Sequence, residues 1–161
     1  MISLAYNFYN VHITGFSVMR LFILFLTIAI SFSVVSNATN NTAEIINERK
    51  SFFKESQQDI KALYASIRGG NLDEIKTYSM SLAEWAAVMP EYFPEGSGGG
   101  VSDASAKIWE DFDGFKEAAK KFEVAALSVV EAANLSDIDA IMAAASTVGD
   151  SCKSCHRKFK N

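Results

Sequence analysis

Apolar residues recur through most of this chain at steps of three and four, the period of a helix that buries one face, and no stretch keeps the period of two that a half-buried strand requires. The clearest case is Ile108, Phe112, Phe115, Ala119, Phe122, Ala126 and Val129, which forms one stripe. Start and stop signals divide the pattern into four segments. A first helix is predicted from Asn41 or Thr42, with Asn41 and Glu44 spaced as a capping box, to the Gly69-Gly70 pair. It presents Ile46, Phe53, Ile60, Leu63 and Ile67 to the core. A second begins at Asn71, again with a carboxylate three residues on at Glu74, and ends before Pro90, packing through Leu72, Ile75, Met80, Leu82, Trp85 and Met89. Residues 90–102 read as a Pro- and Gly-rich loop. The third helix is predicted from Asp103 to Ala133, and the fourth from Ser136, boxed by Asp139, to the chain end. Four helices of this length with mostly short connections predict an all-α fold, an antiparallel up-down-up-down four-helix bundle.

One segment stands outside the pattern. Residues 1–38 hold no Asp, Glu or Lys and a single Arg, and Met19-Arg20, the apolar run from Leu21 to Val35 and Ser36-Asn37-Ala38 read as an n-region, h-region and cleavage site. The expectation is a signal peptide over 1–38, with Met19 as an alternative start and an uncleaved membrane anchor as the competing reading. The bundle domain is then 39–161, located in the periplasm and free of the membrane after cleavage. Of the 15 basic residues 14 remain, against 19 acidic ones, a net charge of −5. That balance, with no Lys/Arg cluster, excludes nucleic acid as a partner. The 49% hydrophobic and 21% charged composition is that of an ordinary globular domain.

The chemistry concentrates in Cys152-Lys153-Ser154-Cys155-His156. Positions i, i+3 and i+4 share a helix face, so both thiols can add to the vinyl groups of one haem while the imidazole reaches the iron from the same side, the c-type attachment pattern. A zinc site lacks a fourth ligand, since the other histidine is His12 in the leader. A redox-active Cys-x-x-Cys belongs at the start of a helix after a strand, and a disulfide leaves His156 unexplained. The glycines at 96–100 do not form a phosphate loop, which needs a preceding strand and a following Gly-Lys. The Glu110-Asp111 and Asp137/Asp139 clusters read as solvated face or caps rather than a di-iron site, which calls for Glu-x-x-His pairs. Only five residues follow His156 and none is His or Met, so the expectation is one covalent haem c with a five-coordinate iron; a six-coordinate electron carrier is the alternative.

Several separate signatures converge on a known family. Arg49 followed four residues later by apolar Phe53, the Phe93-Pro94-x-Gly96-Ser97 turn, Ala106-Lys107-Ile108-Trp109 and the terminal Cys-x-x-Cys-His together resemble cytochrome c', over about residues 42–160. The resemblance implies that Arg49 lies near a haem propionate and that Phe53 covers the open iron face, where related electron-transfer members carry a ligating Met. Lys160 stands where the family usually has Arg beside the proximal imidazole, a departure that keeps the charge and loses the planar fork. Trp109 and Phe112 either pack on the porphyrin or fill the core. Homodimers through the first two helices are common in the family. An apolar distal side favours NO and CO over O₂, which profits more from a hydrogen-bond donor. The partners expected are thus these gases and redox proteins. With no second His in the mature chain for peroxide chemistry, the protein is not expected to be an enzyme.

Overall fold

A computed structural model describes residues 42–161; the expected leader, the alternative start at Met19 and the candidate cap Asn41 lie outside the described residues. Helix α1 covers residues 42–69. It closes at Gly70, whose φ of 70° suits glycine, with Gly70 N–H donating to Ile67 O and Asn71 N–H to Ser66 O, the paired bonds of a Schellman turn. Helix α2, Leu72–Val88, starts at the predicted cap, where the Asn71 side chain accepts from the Glu74 N–H. It tightens into a single 3₁₀ turn, Met89–Tyr92, through Pro90.

The third predicted helix divides differently. Residues 103–106 are not helical: Ala104 pairs with Lys160 in an antiparallel bridge, Ser105 N–H donates to Phe159 O, and Asn161 N–H to Asp103 O. A one-turn helix α3, Lys107–Glu110, follows, and Asp111 breaks it with φ −136° and ψ 62°. The freed Asp111 carboxylate accepts from Gly114 N–H and caps α4, Phe112–Asn134. A Cβ at residue 114 would meet that carboxylate and oblige it to shift. Helix α5 runs Ile138–Phe159, capped by Asp137, not Ser136, which takes a left-handed φ of 55° in the turn before it.

The four long helices form the antiparallel up-down-up-down bundle. Leu63, Ile75, Leu82, Val129, Ile141 and Val148 meet at its centre with no solvent exposure. Each contributes roughly 1.5–3 kcal/mol of apolar burial. Met80, expected in the core, lies on the outer face of α2 at 38% exposure, while Met89 is buried. At one end α1 and α5 close on each other, tied by Tyr64 Oη donating to Ala145 O. Toward the other end they part.

Candidate functional site

The gap between α1 and α5 is a cavity of about 590 Å³, and Cys152, Cys155 and His156 all line it from α5. That volume lies in the usual range for cofactor sites. Its floor is apolar, with Ile60, Phe93, Phe115 and Phe122 among the walls. The two cysteines are half-buried and unbridged. Burial raises both thiols, Cys155 to about 11 with a further push from Cys152, so at neutral pH they are protonated and slow to exchange. Partial desolvation, and then the Lys160 charge, lower His156, which keeps its imidazole in the neutral form that binds metals.

Arg49 reaches the same cavity from α1, only 2% exposed. Its guanidinium donates to Ser97 Oγ at 2.8 Å, Ser97 O at 2.6 Å, Ser102 Oγ at 2.8 Å and Tyr92 O at 3.1 Å. It also lies 4.4 Å from the Phe93 ring centroid. The arginine therefore ties the 92–102 loop to α1. It makes no ion pair among the described residues, and burial lowers its pKa. A buried cation without a carboxylate is costly. An anion entering the cavity would offset that cost.

Phe53 lines the cavity one turn further along α1, held edge-on by Trp85 at 5.3 Å and by Phe93 at 6.4 Å. Phe52, its neighbour, stacks on the far side against Trp85 at 4.8 Å. Lys160 stands at the mouth, 3.6 Å from Asp103. Trp109 and Phe112 are not among the cavity's lining residues. They line a separate groove of about 830 Å³, with Phe93 bordering both spaces. The Trp109 indole N–H donates to Phe93 O and Pro94 O, each at 3.0 Å, which makes it an anchor of the loop. Met89, an upstream methionine that the sequence offers as a sixth ligand but whose apolar spacing places it in the core, is buried and also lines the cavity.

These residues fit a covalently held haem. Two free thiols and a neutral imidazole share one wall of an apolar cavity with a buried, anion-seeking cation opposite. Among the described residues no group of His, Cys, Asp and Glu is placed to hold a metal ion directly. The family model described as cytochrome c' matches residues 44–160. The chain belongs to the cytochrome c' family. It is 31% identical over 144 residues to cytochrome c' of Rhodospirillum rubrum, covering 88% of this chain and 97% of that one. It is also 30% identical over 118 residues to cytochrome c-556 of Agrobacterium tumefaciens, covering 71% and 95%. A nitric oxide complex of a variant cytochrome c prime from Alcaligenes xylosoxidans superposes with a TM-score of 0.67 at 26% identity, covering 74% of this chain and 95% of that one. Cytochromes c' are haem c proteins, and the shared stretch contains the whole Cys152–His156 motif and both walls of the cavity.

Proposed function

We propose that this protein is an exported monohaem cytochrome that binds NO and CO at a five-coordinate iron and exchanges electrons with redox proteins, without an enzymatic turnover of its own. Cys152 and Cys155 would hold the haem through thioethers, and His156 would ligate its iron. The observation that carries the reading is that these three side chains and Phe53 border one apolar cavity from opposite helices. Haem iron would supply the coordination position for a diatomic. Phe53 covers the space across from His156 and offers no hydrogen-bond donor, which favours CO and NO over O₂. Arg49 has spent its NH₁ and NH₂ groups on the loop, so its charge, more than a free fork, is what a propionate would meet. The nitric oxide complex of the Alcaligenes xylosoxidans variant supports the gas-binding part of the reading by similarity.

A second reading rests on Met89, a thioether lining the same cavity. As a sixth ligand it would make the protein a low-spin electron carrier. Absorption spectra of oxidised and reduced protein, with and without CO, separate the two. High-spin bands that shift with CO are expected. A low-spin reduced spectrum that ignores CO in the native chain, and responds in Met89→Leu, would replace the first reading with the second.

A further inference from the structure

Helix α1 sorts its charges by side. Lys50, Lys54, Lys61 and Arg68 recur at steps of four, seven and seven, and Glu44, Glu48, Glu55 and Asp59 at steps of four, seven and four. On a helix of 3.6 residues per turn each set forms a stripe, and the two stripes fall on different sides, about 135° apart. The acidic side turns toward α2, where Asp59 accepts from Ser81 Oγ at 2.7 Å. The basic side turns toward α5: Lys50, Lys54 and Lys61 all line the cavity with the haem motif, and Gln57 falls between them on the same stripe. Lys160 joins them from beyond α5, and the one acid on that rim, Asp103, is paired with it. Lys50 donates to Val101 O, whereas Lys54, Lys61 and Arg68 make no ion pair among the described residues.

Two features ask for an explanation. Like charges at a four-residue spacing weaken a helix, and here three lysines stand together at the mouth of the cavity in a chain whose net charge is −4. The exposed lysines of α2 and α4, by contrast, include several bridged to acids three or four residues away, such as Lys76 to Asp73 and Lys121 to Glu117. Unpaired positive charge is thus concentrated at the slit that leads to the cofactor site. A surface of that kind steers an oppositely charged partner and sets its orientation more than it adds affinity.

We propose that the Lys50–Lys54–Lys61 stripe is the docking face for an acidic redox protein, which meets this chain over the cavity mouth between α1 and α5. The proposal rests on the haem assignment given above and adds the face and the charge of the partner. In the docked pair one electron passes from the reduced donor, which is oxidised by one, to the haem of this chain, which is reduced by one. No bond is made or broken.

The test uses the haem-loaded protein and a reduced flavodoxin, an acidic one-electron donor, with hexaammineruthenium(II) as a small cationic reductant for comparison. Stopped-flow rates are measured for the native chain, for Lys54→Gln/Lys61→Gln, and for Lys76→Gln/Lys121→Gln, which loses the same charge elsewhere. Reduction by flavodoxin at low salt should fall about tenfold in the α1 variant and stay near native in the control, a modest part of the 10- to 1,000-fold range of electrostatic steering. The difference should shrink as the screening length drops to about 8 Å near physiological salt. Equal losses in both variants would overturn the proposal, since net charge alone would then be acting. An equal loss with hexaammineruthenium(II) would also overturn it, because the lysines would then act on the haem and not on a partner. A chain that shows no haem absorption fails the assignment of the cofactor and leaves a different signature from either.

Discussion

Phe53→Ala tests whether the ring governs entry to the iron. The side chain is held by an edge-on contact to Trp85 at 5.3 Å and a longer one to Phe93 at 6.4 Å. Aromatic pairs of this kind contribute about 0.5–1.5 kcal/mol each beyond area burial. A ligand that must displace the ring therefore meets a barrier of about 1–3 kcal/mol from these contacts. Removing them should speed CO association by roughly 5- to 150-fold, since 1.4 kcal/mol is a factor of ten. The assay is flash photolysis or stopped-flow mixing of the reduced protein with CO, with Phe53→Leu as an intermediate case. The ring is half-buried, so truncation should cost less stability than the ~3–5 kcal/mol of a fully buried Phe, and the variant should remain folded. Association within twofold of native, in a variant whose helical circular dichroism is unchanged, would refute the gate.

Two other substitutions or conditions follow from the same site. Arg49→Leu strands the hydroxyl and carbonyl of Ser97, which is fully buried and out of reach of water; at about 1–3 kcal/mol per stranded group, less the relief of the buried charge, a net loss of about 3 kcal/mol is expected in urea unfolding, and a loss under ~1 kcal/mol would contradict the role given to the arginine. In chain prepared without haem, Cys155, raised from 9.0 to about 11, should carry about a hundredfold less thiolate at pH 8 than in the unfolded chain and be alkylated more slowly in proportion. Its sign follows: the neutral thiol is favoured in the fold, so this contribution to stability is whole below about pH 9 and is lost as pH rises through about 11. Equal alkylation rates in folded and urea-unfolded chain would contradict the burial of that thiol.

The sequence made the bundle and the attachment motif legible because both rest on local rules. Gly69-Gly70 and Asn71 mark a helix stop and start by backbone chemistry that needs no tertiary context, and both stand where the pattern put them. The start of the third helix was misplaced for the opposite reason. Ala104–Ala106 follow the helical pattern, but backbone pairing with the end of α5, many residues away, draws them out of the helix, and Asp111 takes the cap role that its acidic cluster allowed, at an unforeseen break. Arg49 showed the same gap at the site. The family resemblance implied a place for it near a haem propionate, yet its four acceptors come from a loop some fifty residues away. Trp109 and Phe112, for which the sequence left porphyrin and core packing both open, line a groove that shares Phe93 with the cavity.

The placement of the two tryptophans has an optical consequence. Trp85 touches Phe53 at the cavity wall, and Trp109 is fixed behind Phe93 by two hydrogen bonds. Both indoles are thus held close to the space a haem would fill, where a strong visible chromophore drains their emission. Native protein should be nearly dark under ultraviolet excitation, and light should return as the bundle opens. Trp109 should brighten first if the loop releases before the helices part, so that indole emission reads the order of opening without any added label.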